Sequence, residues 1–334
     1  MFDAAQRVEL GRTGLKITRV GFGCAPIGNL HSVVAEEDAQ AAIAAAFNDG
    51  VRFIDAAPFY GYGLAEERAG RAMANWPREE FVLSTKVGRL IRPGKRSGAE
   101  IYDGGKSYYL ANDEMHTHLD YSYDGAMRSL EESLRRWNVD HIDILHIHDP
   151  DDHFEEAVNG AYKALDRLRS DGTIKAVSAG MNQWQMLSRF MDYGHFDCFL
   201  LAGRYSLLDQ SSLAEFLPKC LERGVSVIVG GVFNSGLLAN PQPGATYNYT
   251  PASEAMLARA LRIKEVCERH GVSLKAAALQ FPLAHPAVAA ILTGVRTPAE
   301  WKENHAALQV DIPTALWDEL KHEGLLEVSA PVPA

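Results

Sequence analysis

Eight short apolar runs, amphipathic helical stretches between them, and glycine just past several helix ends predict an α/β fold closed as a (β/α)8 TIM barrel. The runs cover 19–23, 51–55, 81–86, 142–148, 174–180, 198–201, 225–229 and 288–292. They are apolar on both faces, as strands buried in a parallel sheet must be. Helical periodicity fills 36–48, 64–75, 123–137, 154–170, 213–222 and 273–284. Asp49-Gly50, Asp171-Gly172 and Arg223-Gly224 put a glycine where a helix should stop. An open doubly wound sheet is the alternative, and it needs a glycine-rich phosphate turn after its first strand. Gly21-Phe22-Gly23-Cys24-Ala25-Pro26 lacks that pattern, and its proline would spoil the helix start.

Three segments depart from the repeat. Residues 8–10 and 16–19 flank Gly11-Arg12-Thr13-Gly14 and read as an N-terminal β-hairpin within 1–19, placed to plug the barrel bottom. Residues 87–122 carry four tyrosines and two histidines and read as a long loop that serves as a binding lid. Within it, 102–118 is expected to cover the substrate and to order on binding. Residues 234–251 are full of Gly, Pro and Asn and follow the seventh strand. Both inserts fall on the C-terminal face, where barrel active sites lie. The chain, 1–334, therefore reads as one barrel domain with 311–334 as a C-terminal tail.

Composition narrows the function. The 33 basic and 43 acidic residues leave a net charge of −10. That argues against nucleic acid, a partner that needs a basic stripe. At 47% hydrophobic and 23% charged, the chain is ordinarily globular. No apolar run approaches the roughly 18 residues of a membrane span, and MFDAAQRVEL lacks a signal-peptide pattern. Cys24, Cys198, Cys220 and Cys267 form no CxxC pair, so neither a disulfide scaffold nor a structural metal site is expected. The expectation is a cytoplasmic enzyme with a small-molecule substrate, with no nucleic-acid or membrane partner. No heptad or exposed apolar stripe demands a protein partner, so a monomer or weak homo-oligomer is expected.

Polar residues at strand ends supply the chemistry. Asp55 ends the second run, Tyr60 follows in the next loop, Lys86 ends the third and His148 ends the fourth. Singly, Asp55 reads as a cap or ion-pair partner and Lys86 as a solvated strand end. Together on three neighbouring strands they suit proton transfer at an alcohol or carbonyl oxygen. A free phenol has a pKa near 10. An ammonium about 4 Å away favours its anion by roughly 4 kcal/mol at an effective dielectric of 20, or about three pKa units. An aspartate beside the lysine keeps it charged, and the imidazole can orient the reacting oxygen.

With these residues in view, the chain resembles the aldo-keto reductases from Leu10-Gly11-Arg12-Thr13-Gly14 to Glu303-Asn304. Residues 50–61 resemble the family's second-strand signature. Leu83-Ser84-Thr85-Lys86 and Asp143-Ile144-Leu145-His146-Ile147-His148 are similar to its third- and fourth-strand signatures. The resemblance implies a nicotinamide-dependent oxidoreductase on a (β/α)8 barrel. Tyr60 would be the general acid/base, with Tyr62 as runner-up, Lys86 and Asp55 its tuning pair, and His148 the group that orients substrate. Ala25 and Asp149 would join Tyr60 and His148 around the substrate.

The cofactor residues carry over unevenly. Asn182 matches the asparagine that binds the nicotinamide amide, while Met181 stands where the family has serine and Ala202 where it has glutamine. Gly230-Gly231 replaces the ring that stacks on nicotinamide, and Phe233 is a candidate substitute. Gly23 and Cys24 would line the cofactor site after the first strand. Asn234, Gly236 and Leu237 match the loop that closes over the pyrophosphate. Gly294, Arg296, Glu303 and Asn304 match the phosphate and adenine site. Glu300 stands where a phosphate-binding arginine would lie, which implies NAD as cofactor with NADP possible. The departures resemble the branch that oxidises cyclic hemiacetals to lactones. An aldose such as L-fucose is the first expected substrate and pyridoxal the second, with general aldehyde or ketone reduction as a further alternative.

Two rival classes are weighed. His146 and His148 share one strand face, as ligands of a barrel metal hydrolase would. Such a pair belongs on the first strand, however, and no later strand ends in histidine. A non-catalytic module that only retains a cofactor is opposed by the intact Asp55, Tyr60, Lys86 and His148.

Overall fold

The computed structural model describes residues 3–102 and 105–333. Eight parallel strands close into a barrel: β1 (Val20–Gly23), β2 (Phe53–Asp55), β3 (Val82–Val87), β4 (Ile144–His148), β5 (Ala176–Met181), β6 (Cys198–Ala202), β7 (Ser226–Gly230) and β8 (Val288–Thr293). β8 pairs with β1 to shut the ring. The strand ends differ from the apolar runs by one or two residues, because the hydrogen-bonded ladder, not hydropathy, sets where a strand begins.

Helices Glu36–Asn48 and Tyr123–Trp137 span the predicted residues. The stretch 64–75 stops at Met73, and 213–222 forms as Phe216–Arg223. The stretch 273–284 splits into Leu274–Gln280 and a 3-10 turn, Phe281–Ala284, that carries Pro282. The stretch 154–170 is not uniform. Ala157–Ala161 is a π-turn between the α-helical pieces Phe154–Glu156 and Tyr162–Ser170. Residues 311–334, expected as a tail, include the helix Thr314–His322, which buries Leu316, Trp317 and Leu320.

The N-terminal hairpin pairs Arg7–Glu9 with Lys16–Thr18, Val8 opposite Ile17. Leu10 and Ile17 are fully buried in one apolar cluster with Phe53, Val82, Ile144, Ala176, Cys198 and Ile228, near the N-terminal ends of the barrel strands. The hairpin thus stoppers the barrel bottom, and each of its buried aliphatic side chains contributes roughly 1.5–3 kcal/mol.

The largest difference from expectation is 87–122. It is not an unstructured loop but an antiparallel ribbon, Arg89–Pro93 against Met115–Leu119. A smaller pairing at its tip joins Ile101–Tyr102 to Lys106–Ser107. Positions 103 and 104 of the expected substrate cover lie outside the described residues. Among the described residues, no helix is long and apolar enough to cross a membrane.

Candidate active site

Strand register brings the four chemical residues together. Asp55 lies opposite Ser84, and Lys86 opposite His146, one pleat below His148. Lys86 Nζ donates to Asp55 Oδ2 at 2.7 Å and to the Ala56 carbonyl at 2.8 Å. Ser84 Oγ donates to Asp55 Oδ1 at 2.7 Å. Lys86 and Asp55 are 1% and 2% exposed, so the ion pair is dry and must satisfy itself. Burial raises the Asp55 carboxyl pKa above its ordinary value, and Lys86 opposes that rise.

Tyr60 sits in the turn after β2, its N–H bonded to the Ala57 carbonyl at 3.0 Å. Gly28 allows this turn to pack: a Cβ there would lie 2.8 Å from the Tyr60 carbonyl carbon. Lys86 Nζ lies over the Tyr60 ring, 4.7 Å from its centroid. The expected lowering of the phenol pKa is not found. Tyr60 is raised well above its ordinary value, first by burial and then by the Asp55 carboxylate. The Asp55 charge cancels much of the lysine's field, and desolvation decides the sign. Tyr60 is therefore a neutral phenol. Tyr62 has φ +54° and lies under the Arg96 guanidinium, 3.8 Å from its ring, outside the pocket that Tyr60 lines.

The His148 ring meets Tyr60 edge-on, with centroids 5.9 Å apart. Burial, then Arg89 and Lys86, hold its pKa well below the usual histidine range, so the imidazole is neutral. Its Nδ1 is buried with no protein partner. His146 lies deeper, with Nδ1 2.7 Å from Ser178 Oγ and Nε2 3.6 Å from Asp55 Oδ1. Its Nδ1 is engaged by Ser178, and among the described residues no group of three or more His, Cys, Asp or Glu side chains is placed to hold a metal ion.

Asp149 follows His148 in a left-handed conformation, φ +41°. Its N–H donates to the Gly180 carbonyl at 3.1 Å. The Tyr121 hydroxyl meets the carbonyls of His148 and Asp149 at 2.6 and 2.8 Å. Tyr121 is itself fixed. Its carbonyl accepts from Ala161 N at 2.7 Å, in the π-turn, and Ser122 next to it caps the helix Tyr123–Trp137.

Two adjoining cavities open on the C-terminal face. One, of about 220 Å³, is lined by Tyr60, Lys86, His148, Asp149 and Asn182, with walls that include Phe59, Tyr108, Tyr109 and Arg89. Asn182 Nδ2 donates to the Ala202 carbonyl at 2.9 Å. The other cavity, of about 240 Å³, is lined by Gly23, Ala25, Gly230, Gly231, Phe233, Gly236 and Gly294. Leu30, Tyr60, Leu200, Ala202 and Tyr249 line both. A channel with five glycine walls lets a flat, phosphate-bearing ligand approach the backbone closely, so its lining fits a dinucleotide whose reactive end meets Tyr60.

Several residues expected at the cofactor are not among those that line this channel. Cys24 and Leu237 are fully buried in the core. Asn234 is buried, its Nδ2 donating to the Gly203 carbonyl at 3.1 Å. Asn304 is also buried. Glu303 pairs with Lys275 at 2.8 Å, on a different groove. Arg296 and Glu300 bind each other: Nη2 to Oε1 at 2.5 Å, and Arg296 N–H to Oε2 at 2.8 Å. Ala25, expected at the substrate, lines the glycine channel instead.

The sequence reading missed Arg89, Phe59, Leu30, Leu200, Tyr108, Tyr109 and Tyr249 as pocket residues. Phe59 adjoins Tyr60 and Arg89 stands three places past Lys86, so proximity to the motif was a usable signal. The tyrosines belong to the two inserts. Tyr108–Tyr109 is docked on the segment after β1 by the Leu30–Tyr109 bridge and by His31 N–H on the Tyr108 carbonyl at 2.9 Å.

Residues 19–322 match the family model described as the Aldo/keto reductase family. The chain is 40% identical to pyridoxal 4-dehydrogenase of Microbacterium luteolum, covering 97% of this chain and 98% of the relative. It is 36% identical to D-threo-aldose 1-dehydrogenase of a Pseudomonas species, covering 94% and 96%. Its fold superposes on the holo form of an aldo-keto reductase from Bacillus halodurans with a TM-score of 0.73, at 25% identity and 97% coverage of each chain.

Proposed function

The chain belongs to the aldo/keto reductase family and is an oxidoreductase that works with a nicotinamide dinucleotide; we propose that it oxidises a small cyclic hemiacetal to a lactone, with NAD as the preferred cofactor and NADP accepted. An aldose such as L-fucose is the first substrate proposed and pyridoxal the second, after the activities for which two relatives are named. The observation that carries the reading is the pocket itself. Tyr60 and His148 share its floor, aromatic rings wall it, and its volume of about 220 Å³ suits one small ring.

In this reading the substrate hydroxyl sits between Tyr60 and His148. His148, held neutral, orients the oxygen, and Tyr60 is the group that takes or gives the proton. Lys86 and Asp55 fix the phenol from below. The bound nicotinamide supplies the hydride acceptor. Oxidation needs Tyr60 as phenolate, and burial makes the phenolate scarce at neutral pH. Oxidation should therefore accelerate as pH rises through the alkaline range. The same neutral phenol favours carbonyl reduction, the second reading, which should be fastest where Tyr60 keeps its proton.

The cofactor preference rests on Glu300. It pairs with Arg296, which stands two residues past Gly294 of the channel wall, and its carboxylate would repel a 2′-phosphate brought there. A cytoplasmic location and a monomer or weak homo-oligomer belong to the same proposal. The deciding experiment is a turnover screen of L-fucose, L-galactose, D-arabinose and pyridoxal with both cofactors, following reduced nicotinamide and the lactone product. No turnover of any cyclic hemiacetal, with active reduction of simple aldehydes, replaces the first reading by the second.

A further inference from the structure

Beside the reacting floor lies a charged pair that the proton chemistry does not use. Arg89 begins the ribbon just past β3. Gly88 before it has φ +103°, and a Cβ there would collide with the Tyr121 ring, so the chain turns there in a conformation that glycine allows. Arg89 Nη2 donates to Asp149 Oδ2 at 3.0 Å, and the guanidinium faces the Phe59 ring at 5.0 Å. The Arg89 side chain is 9% exposed and that of Asp149 26%. Both line the pocket, and Arg89 Nε is buried with no partner.

Asp149 is held where packing alone would not put it. A non-glycine residue at positive φ is uncommon and persists only where its surroundings over-determine it. Here Gly180, Tyr121 and Arg89 each hold it, from β5, from the segment before the helix Tyr123–Trp137 and from the ribbon. Its Oδ2 lies 3.5 Å from His148 Nε2. A carboxylate and a guanidinium side by side offer one acceptor and several donors. That set matches a hydroxyl, which is both donor and acceptor.

We propose that the Arg89–Asp149 pair reads the hydroxyl neighbouring the reacting carbon, and so sets substrate specificity. The inference rests on the hemiacetal reading. In an aldose the group is the 2-hydroxyl; in pyridoxal it is the 3-hydroxyl, on the ring carbon next to the one that bears the reacting carbon. An analogue lacking it leaves the charged pair without its partner in a nearly dry corner, and a site built for a hydroxyl rejects such an analogue strongly. Because Asp149 is partly open to water, the expected discrimination is about 10²-fold rather than the larger ratios of closed sites.

The test compares kcat/KM for L-fucose with 2-deoxy-L-fucose, and for pyridoxal with 3-deoxypyridoxal, in the wild type, Arg89→Met, Arg89→Lys and Asp149→Asn. Asparagine tolerates positive φ, so Asp149→Asn keeps the backbone. NADH affinity, read by fluorescence, reports whether each variant is folded. The wild type should favour the hydroxylated member of the active pair by about 10²-fold. Arg89→Met and Asp149→Asn should bring that ratio to within threefold of unity by losing only the hydroxylated substrate, while Arg89→Lys restores part of it and NADH affinity stays unchanged. Equal losses on both members, or an unchanged ratio, overturn the inference. If no hemiacetal is turned over, the hemiacetal reading fails by itself, and the same comparison is read on calorimetric binding of the four compounds. Selective binding loss then supports the pair's role, and no selectivity or no binding overturns it.

Discussion

Removing the Arg96 guanidinium should open the pocket's tyrosine wall without touching the proton chemistry. The Arg96 side chain is 8% exposed and holds the ribbon together from within. It donates to the carbonyls of Met115 at 3.0 Å, Tyr109 at 3.0 Å and Asn112 at 2.8 Å, to the Ala111 carbonyl, and to Ser107 Oγ at 2.8 Å. It also covers the Tyr62 ring at 3.8 Å. A hydrogen bond from a charged donor contributes about 1.5–3 kcal/mol. Five at the lower figure amount to about 7.5 kcal/mol gross, and rehydration of the freed acceptors in Arg96→Ala returns more than half. A net loss of about 3 kcal/mol shifts the balance between closed and open ribbon by roughly two decades. Tyr108 and Tyr109 would then leave the pocket for much of the time. The expected outcome is a KM for the sugar or pyridoxal raised at least tenfold, NADH affinity changed less than twofold, and faster limited proteolysis within 94–118. Unchanged KM with a cleaved ribbon would show that this wall does not hold substrate. Parallel losses of substrate and cofactor affinity would show that the ribbon supports the barrel mouth as a whole.

Tyr60→Phe should lower turnover at least about 10²-fold, the usual contribution of a general acid/base, with little change in NADH affinity; near wild-type turnover there, with loss in Tyr62→Phe, would move the role to Tyr62. Glu300→Arg should raise the ratio of NADP to NAD efficiency about tenfold or more by freeing Arg296 and adding a second cation, and a wild type already better with NADP would refute the NAD preference. His285 is 5% exposed, its Nδ1 accepts from Ala287 N–H at 3.1 Å, and burial lowers its pKa to about 4. The unfolded chain takes up this proton below about pH 6.5 and the folded one only near 4, so stability should fall as pH drops through that window. The loss is roughly 3 kcal/mol at most, and denaturant titrations of His285→Gln at pH 7 and pH 5 should show a smaller difference than the wild type.

The barrel, its hairpin stopper, and the Asp55, Tyr60, Lys86 and His148 set were legible in the sequence because each depends on local pattern. A strand buried on both faces must be apolar throughout. A polar residue ending such a run must face the mouth, and a (β/α)8 order puts consecutive run ends side by side. What depended on distant segments was not legible. The ribbon at 87–122 looked like a loop because its pairing, Arg89–Pro93 with Met115–Leu119, joins segments far apart along the chain. The sign of the Tyr60 shift depended on how much water the surrounding elements exclude and on where Asp55 sits relative to Lys86. Cys24, Leu237 and Asn304 were expected at the cofactor from the family resemblance; that folding buries their side chains was not visible in the sequence. Arg89 was an unremarkable charge after one strand, and Asp149 was expected near the substrate from the family resemblance, with no partner assigned to it. Only the tertiary structure laid one against the other, because ion pairs form between side chains that folding makes neighbours, and periodicity along a chain carries no record of which ones those will be.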